Sequence, residues 1–250
     1  MQDKQSVYDK DGFFDLYQKL RSNPNSLNEI VEKPTMLGLV GDVSDKRILD
    51  LGCGCGEHLK LYLERGAAFV AGIDLSQAML QQAAKNLAEF RPHFLLEQAP
   101  MERLDQLNEG GFDLITSSFA FHYVQDFPDL LAKIHAKLKP NGQLVFSQEH
   151  PIVTCYQGGE RWEKDAQKRQ LAYRLNFYRD EGERQRNWFK QPFTTYHRTT
   201  ATIINNLISA GFHIEQMAEP MLADQPQWQD EFKDLQHRPV LLFVKARKNT

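Results

Sequence analysis

The sequence predicts an α/β fold with a doubly wound, mostly parallel seven-stranded sheet and helices on both faces. Short apolar segments alternate with segments of helical periodicity from residue 47 to residue 147. A glycine-rich turn joins the first of these strands to the first helix of the alternation. Two more strand-like segments follow a final helix near the end of the chain. Such alternation is typical of parallel sheets, because parallel strands need long, usually helical, crossover connections.

The composition is that of a globular protein: 41% of the 250 residues are hydrophobic and 25% are charged. We expect one large domain. No apolar run approaches the ~20 residues of a membrane span, and the polar first ten residues lack a signal-peptide pattern. Three cysteines, an odd number, do not suggest a disulfide framework. These features predict a cytoplasmic protein without membrane contact.

Residues 1–45 are predicted to form an N-terminal helical segment. Apolar side chains at helical spacing between residues 13 and 20 indicate one short helix. A second helix is predicted over residues 26–40, disturbed by Pro34.

Residues 46–150 are predicted to form the core, in which strands and helices alternate. The predicted strands span residues 47–51, 69–73, 93–97, 112–117 and 143–147, and the predicted helices span residues 57–64, 76–89 and 127–139. Residues 199–250 complete the core with a helix at 199–210 and strands at 213–217 and 239–246.

Residues 151–198 interrupt the alternation and are predicted to form a cap inserted after the fifth strand. Nine aromatic residues between positions 156 and 196 make this segment far more aromatic than the whole chain, at 11%. A disordered linker would be poor in aromatics, so we expect the cap to pack over an active site. It is also locally basic; this favours a solvated surface that covers a small core of its own, with an anionic or planar ligand as the alternative.

The strongest local signal is a glycine turn at Gly52, Gly54 and Gly56, directly after an apolar strand. Glycines let a ligand approach the main chain at the start of the next helix, where amide donors are available. The second strand ends in Asp74, whose carboxylate can accept both hydroxyls of a ribose. The two features together predict a nucleoside-binding site.

Two kinds of nucleotide ligand compete for this turn. A dinucleotide-binding fold requires G-x-G-x-x-G, but Glu57 occupies the position of its third glycine. A carboxylate there would repel a pyrophosphate, and Asp50 before the glycines adds to the mismatch. An NAD(P)-dependent oxidoreductase is therefore disfavoured, whereas a ligand with one ribose and an amino acid group suits these residues.

Four segments together resemble the class I S-adenosylmethionine-dependent methyltransferases. They are D-L-G-C-G-C-G at residues 50–56, G-I-D-L-S at 72–76, F-D-L-I-T-S-S-F at 112–119 and L-K-P-N-G-Q-L at 138–144. Their order and spacing are those of the family. The resemblance implies a Rossmann-like fold, S-adenosyl-L-methionine as the cofactor, and an enzyme, a transferase that catalyses methylation.

The resemblance also implies a set of cofactor-binding residues. These are Gly52, Cys53, Gly54 and Gly56 for the methionine part, Asp74 for the ribose, Leu75, Met79, Met101 and Glu102 for the adenine, Ser117 for the sulfonium end, and Tyr17 with Arg21 for the carboxylate. Pro100 departs from the family, which usually has an acid before the adenine-binding amide. Tyr17 and Arg21 would share a helix face, although a core aromatic with a solvated arginine is the alternative.

Three histidines are candidate general bases. His122 follows the fourth predicted strand, His150 follows the fifth, and His197 ends the cap. Ligands in open α/β sheets bind beyond the carboxyl ends of the strands, which is where these residues are expected. A base is needed only if the acceptor is protonated at neutral pH, and each histidine could instead be structural. No His-x-x-x-His pair exists, and we expect no metal.

We therefore predict methyl transfer to a small-molecule acceptor by in-line displacement. Two alternatives stay open: a methyltransferase acting on tRNA or protein, and a non-catalytic S-adenosylmethionine-binding protein. A net charge of −3 argues against a nucleic-acid partner, because such partners are usually held by basic surfaces. Neither the acceptor nor the oligomeric state follows from the sequence.

Overall fold

A computed structural model describes residues 23–188, 191–221 and 232–249, together with residues 9, 14 and 19. Its strands are β1 Arg47–Leu51, β2 Phe69–Asp74, β3 Phe94–Gln98, β4 Phe112–Ser117, β5 Leu138–Glu149, β6 Trp162–Lys164, β7 Gln170–Tyr173, β8 Gly182–Trp188, β9 Gln191–His197, β10 Phe212–Ala218 and β11 Leu241–Lys248. Its helices are α1 Lys33–Val40, α2 Glu57–Glu64, α3 Gln77–Asn86, α4 Phe127–Lys137, α5 Pro151–Thr154 and α6 Thr200–Ser209. In this part of the chain, no helix combines the length and apolar character needed to cross a bilayer.

Seven strands form the central sheet in the order β10-β11-β5-β4-β1-β2-β3. Strands β1 to β5 pair in parallel, whereas β11 is antiparallel to both of its neighbours. The predicted α/β fold with a mostly parallel seven-stranded sheet is confirmed. The strand order reverses between β1 and β4, and the carboxyl ends of these two strands border the crevice in which such sheets bind ligands.

The two faces of the sheet bury separate apolar clusters. On β1, Ile48 belongs to one cluster, while Leu49 and Leu51 belong to the other, and all three are fully buried. Successive side chains of a strand point to opposite faces, so helices must cover both sides of this sheet. The consequence is a rigid support beneath the glycine turn that follows Leu51.

The predicted disturbance at Pro34 takes the form of a π-helical turn at Asn28–Glu32, which continues directly into α1. The amide of Lys33 donates to the carbonyl of Asn28, five residues earlier. Proline has no amide hydrogen, and its ring would collide with a carbonyl in a regular α-helix, so the wider turn accommodates it. The helix predicted between residues 13 and 20 lies outside the described residues, apart from Phe14 and Lys19.

The fifth strand is longer than predicted, because it includes the turn that was expected to precede it. Leu138 already pairs with Phe112 of β4, and regular pairing resumes at Gln143 and Leu114 after a shift in register. Asn141 has a positive φ of 62°, which lets the backbone bulge between the two paired stretches.

The segment after β5 contains two antiparallel hairpins, β6–β7 and β8–β9. The β6–β7 hairpin packs Trp162 against Tyr173 at 5.1 Å between ring centroids, and Arg238 covers the Tyr173 ring at 4.8 Å. The β8–β9 hairpin instead contacts the turn after β4, where Phe193 lies 6.1 Å from Tyr123. Phe193 therefore packs against the turn after β4, and Trp162 and Tyr173 pack against each other, whereas Phe177 of the same segment is exposed.

Candidate active site

The glycine turn is tied to the end of β2 by three backbone amides. Gly52 and Cys53 donate to the carbonyl of Ile73 at 2.8 and 3.0 Å, and Gly54 donates to the Asp74 carboxylate at 2.8 Å. The sequence suggested that these amides would be available to a ligand, but they have partners within the protein. What the turn offers to a ligand is therefore its shape and its position at the sheet edge.

The three glycines of the turn all have positive φ but differ in the space around them. A Cβ at Gly52 would lie 2.7 Å from the Ala120 Cβ, and one at Gly56 would lie 3.1 Å from the Ala83 Cβ. A Cβ at Gly54 would meet nothing within 4 Å. Gly52 and Gly56 therefore allow close packing, whereas Gly54 borders open space beside the main chain.

Asp74 ends β2 with its carboxylate held in place on both oxygens. Oδ2 accepts from Gly54 and Oδ1 accepts from the amide of Ser76, each at 2.8 Å. Burial raises the pKa of this carboxyl, while the two amide hydrogen bonds oppose that rise. The arrangement fixes a carboxylate at the crevice edge, where it can accept hydroxyl groups.

Asp9, which sequence reasoning missed, lies next to Asp74. Its carboxylate accepts from the Ser76 hydroxyl at 2.6 Å and from the Ala78 amide at 3.2 Å, at the start of α3. A carboxylate is favourable at a helix N-terminus because it complements the free amides and the helix dipole. This contact places Asp9 at the ribose side of the predicted site.

Residues assigned to the adenine lie along the same edge. The Met79 side chain is buried, and its sulfur lies 3.4 Å from the Cys55 Sγ in the glycine turn. The Met101 methyl carbon lies 3.4 Å from the position of a Cβ at Gly52. The carbonyl of Leu75 accepts from a glutamine side chain, and the carbonyl of Glu102 accepts from a lysine. Their contacts with adenine stay predictions.

Of the remaining residues assigned to the cofactor, the structure describes Ser117 but neither Tyr17 nor Arg21. Ser117 is fully buried, and its hydroxyl donates to the Leu51 carbonyl at 2.8 Å, so it joins β4 to β1. The hydroxyl proton is used in that bond, so this side chain could bind a ligand only as an acceptor. Tyr17 and Arg21 lie outside the described residues, and their predicted role stays a prediction.

A buried carboxyl group lies beneath the glycine turn. Asp50 accepts a hydrogen bond of 2.7 Å from the Thr116 hydroxyl. Burial raises the pKa of Asp50 to about 7; the bond from Thr116 opposes this, and the negative charges of Glu32 and Asp74 add to it. A carboxyl with a raised pKa therefore lies directly beneath the predicted cofactor site.

Glu32 is a second buried acid that sequence reasoning missed. It ends the π-helical turn, is 1% exposed, and accepts hydrogen bonds on Oε1 from Ser118 at 2.6 Å and Ser147 at 2.7 Å. Its Oε2 lies 3.8 Å from Nε2 of His58 in α2. The only signal in the sequence was Pro34 two residues later, which predicted irregular helix geometry but not the direction of the side chain.

His122 follows β4 and is 4% exposed. Among the residues described, its Nδ1 has no hydrogen-bond partner. Burial lowers the pKa of His122 to about 4, opposed by the charge of Glu149 and assisted by Arg186 and Arg198. The unpartnered Nδ1 of this neutral imidazole is itself buried, so neighbouring side chains must move before a ligand can reach it.

His150 caps the short helix α5 with its ring. Its Nδ1 accepts from the amide of Ile152 at 3.1 Å, and its Nε2 lies 2.8 Å from the Glu219 carboxylate. Because Nδ1 accepts, Nε2 carries the proton and donates it to Glu219. Burial lowers the pKa of His150, and Glu219 opposes that effect. Action as a base would require one of these bonds to break.

His197, at the end of β9, connects three segments. Its Nε2 lies 2.8 Å from the Tyr178 carbonyl, which can only accept, so this nitrogen carries the proton. Its Nδ1 accepts from the Thr154 hydroxyl at 2.7 Å. Burial lowers the pKa of His197. The three candidate histidines thus differ clearly in their environments, and their catalytic roles stay predictions.

The β8–β9 hairpin closes one side of the crevice. Arg186 of β8 pairs with Glu149 at the end of β5, and its guanidinium lies 5.8 Å from the centre of the Phe193 ring. Arg198, just after β9, donates to the carbonyls of Val124 and Gln125 in the loop after β4. These contacts hold the hairpin against the carboxyl ends of β4 and β5. In the described residues, no cluster of three or more metal-ligating side chains exists.

Comparisons with known proteins agree with this geometry. The family described as a methyltransferase domain matches residues 48–142. The crystal structure of an S-adenosylmethionine-dependent methyltransferase from Mesorhizobium loti superposes with a TM-score of 0.79 at 35% identity, covering 89% of this chain and 100% of that one. An uncharacterized protein of Haemophilus influenzae is 67% identical over 99% of both chains.

Curated methyltransferases of two kinds match part of the chain. A ubiquinone biosynthesis O-methyltransferase of Pasteurella multocida is 34% identical over 57% of this chain and 59% of its own length. A tRNA U34 carboxymethyltransferase of Colwellia psychrerythraea is 35% identical over 50% of this chain and 39% of its own length. These matches span about half of the chain or slightly more.

Proposed function

Because the chain belongs to the class I S-adenosylmethionine-dependent methyltransferases, we propose that it methylates a small-molecule acceptor. Its cofactor is S-adenosyl-L-methionine, which supplies a methyl group already activated by a positively charged sulfur. The protein therefore needs to bind and orient the cofactor and the acceptor and to exclude water. It does not need to activate the donor. Which acceptor is bound depends on the residues above the carboxyl ends of β4 and β5.

The glycine turn and Asp74 fit the cofactor that we assign to them. The open space beside Gly54 accommodates an amino acid group against the main chain. The Asp74 carboxylate, fixed by two amides, accepts ribose hydroxyls. Leu75, Met79, Met101 and Glu102 would border the adenine, with Cys53, Gly52, Gly56 and Ser117 supporting the turn and the sulfonium end.

For an acceptor that carries a proton, we favour His122 as the general base. Its low pKa keeps the ring neutral at pH 7, and its Nδ1 has no partner in the described part of the protein. It also follows β4 directly, at the sheet edge where the reacting groups meet. His150 and His197 are the alternatives, although both of their ring nitrogens already form hydrogen bonds.

The observation that supports a small acceptor is the β8–β9 hairpin. It is anchored by the Arg186–Glu149 pair, the Tyr123–Phe193 contact and Arg198, and so closes one side of the crevice. A crevice closed on one side favours a small planar molecule, whereas a tRNA or protein would need a wider approach. The O-methyltransferase among the partial relatives is compatible with this proposal.

The test is incubation of the purified protein with methyl-labelled S-adenosyl-L-methionine and a cell extract divided by filtration. Unreacted S-adenosyl-L-methionine also passes the filter and is separated from other filtrate compounds by chromatography. We then expect a labelled product in the filtrate and little label in the retained RNA and protein. An Asp74→Ala variant measures background. Labelled product confined to the retained fraction would overturn the proposal in favour of a tRNA or protein acceptor. The similarity to the tRNA U34 carboxymethyltransferase would then be the more relevant one.

The same experiment addresses the non-catalytic alternative. A protein that only senses the cofactor would bind S-adenosyl-L-methionine in calorimetry but label neither fraction above the background of the Asp74→Ala variant. A cytoplasmic location and the absence of nucleic-acid and membrane partners stay predictions from the sequence.

A further inference from the structure

We propose that Glu32 is a positioning residue for the sulfonium end of the cofactor and makes the site favour S-adenosyl-L-methionine over S-adenosylhomocysteine. The two compounds differ by one methyl group and one positive charge on sulfur. A fixed negative charge near that sulfur therefore distinguishes substrate from product by electrostatics. The inference rests on the family's cofactor and not on the identity of the acceptor.

The position of Glu32 is fixed by three elements that surround the crevice. Its Oε1 accepts from Ser118, directly after β4, and from Ser147 of β5. Its Oε2 faces His58 at 3.8 Å, in the helix that starts at the glycine turn. The carboxylate thus lies between the glycine turn and the ends of β4 and β5, where the methionine part and the acceptor must meet.

The hydroxyls of Ser118 and Ser147 both donate to the same oxygen of Glu32, Oε1. The Ser147 oxygen accepts the amide of Phe119 at 3.1 Å, which leaves the Ser147 hydroxyl proton for Glu32. A carboxylate oxygen that accepts two hydroxyl protons acts as an acceptor only. At 1% exposure, the charge is little screened by water and acts over several ångströms.

Glu32 also lies close enough to Asp50 to act on its ionisation. The negative charge of Glu32 contributes to the raised pKa of that neighbouring carboxyl, after the larger effect of burial. The negative charge of Glu32 that disfavours a second negative charge on Asp50 would stabilise a positive charge in the same region. The π-helical turn is what brings Glu32 to this position, and such turns are frequent at functional sites.

Calorimetric binding of both compounds to Glu32→Gln tests the proposal. Glutamine keeps the size and the acceptor oxygen but removes the charge. We expect affinity for S-adenosyl-L-methionine to fall on the order of tenfold and affinity for S-adenosylhomocysteine to change less than about twofold. Equal losses for both compounds, or no loss for either, would overturn it.

Two further variants separate charge from structure. Glu29→Gln removes a charge from the same turn, where Glu29 pairs only with Lys33 among the contacts described, and should leave both affinities unchanged. Ser147→Ala removes one hydrogen bond but no charge and should preserve the ratio of the two affinities. If Glu32→Gln does not fold, Glu32→Leu, which needs no hydrogen-bond partner, is judged by the same ratio.

Discussion

The amide of Gly54 donates a hydrogen bond of 2.8 Å to the carboxylate of Asp74. This bond joins the turn after β1 to the end of β2, and Ser76 holds the second carboxylate oxygen. The two parts of the proposed cofactor site are therefore fixed relative to each other by the protein itself. Such preorganisation reduces the entropic cost of binding a long, flexible ligand.

Replacing Asp74 with alanine should weaken binding of S-adenosyl-L-methionine by ~1–3 kcal/mol, because hydrogen bonds to a charged group are lost. Isothermal titration calorimetry measures this directly. Asp113→Asn is a matched control, since Asp113 also lies on a strand and accepts the Arg47 amide at 2.9 Å, but near the opposite end of the sheet. Equal affinity in the wild type and Asp74→Ala would show that the ribose site lies elsewhere.

The glycines of the turn should respond differently to alanine. Gly54→Ala is expected to cost only about 1 kcal/mol of stability, from its positive φ, but to block cofactor binding. Gly52→Ala should lose roughly 2–4 kcal/mol, because its Cβ also collides with Ala120 at 2.7 Å. Urea unfolding and calorimetry together separate the two effects. A Gly54→Ala variant that binds normally would contradict the assignment of the open space.

Asp50 should make stability depend on pH. Between its usual pKa of 3.8 and about 7, the folded protein keeps a proton that the unfolded chain has lost. The contribution of Asp50 to the free energy of unfolding therefore falls as pH rises from about 4 to about 7, and it is constant above that range. Asp50→Asn lacks this dependence.

Urea unfolding at several pH values between 5 and 8 checks this expectation. From pH 5 to pH 7, the variant should gain on the order of 1–2 kcal/mol relative to the wild type. A constant difference between the two proteins across the range would mean that Asp50 is not protonated in the folded state.

His122→Gln should lower kcat by ~100-fold or more while leaving the affinity for S-adenosyl-L-methionine unchanged, if the acceptor carries a proton. Because the pKa of His122 is about 4, the wild-type rate should show no inflection from this group between pH 6 and pH 8. Initial rates of label transfer give both quantities. Wild-type turnover in the variant would leave alignment alone as the source of catalysis.

His197→Gln is the control for His122→Gln, since the His197 ring forms hydrogen bonds with the Thr154 hydroxyl and the Tyr178 carbonyl. It should lose ~1–3 kcal/mol of stability through broken buried hydrogen bonds, with a smaller effect on kcat.

Arg186→Gln should raise the KM for the acceptor about 3- to 30-fold without changing cofactor affinity, because the β8–β9 hairpin loses its ion pair with Glu149. Arg169→Gln removes the Arg169–Asp165 pair next to the other hairpin and should change neither quantity. Kinetics on the labelled filtrate measure the KM. A rise in cofactor Kd of similar size would mean that the hairpin supports the donor site instead.

The amino-acid sequence by itself determined the sheet, the glycine turn and the acid at the end of β2. The bounds of β1 and β4 match those predicted. The reason is that strand bounds depend on the spacing of apolar residues and on glycines only a few residues away in the sequence. The family resemblance depended on the same local segments. The insertion after β5 was located by its loss of pattern, but its two hairpins were not predicted.

Tertiary structure alone decided which polar groups meet. Glu32 contacts Ser147 across 115 residues of sequence and Ser118 across 86, and Asp9 contacts Ser76 across 67. The three candidate histidines differ in their hydrogen bonds, and of these three only His122 has a ring nitrogen without a partner in the described part of the chain. Such pairings depend on how distant segments pack, and no local periodicity carries that information.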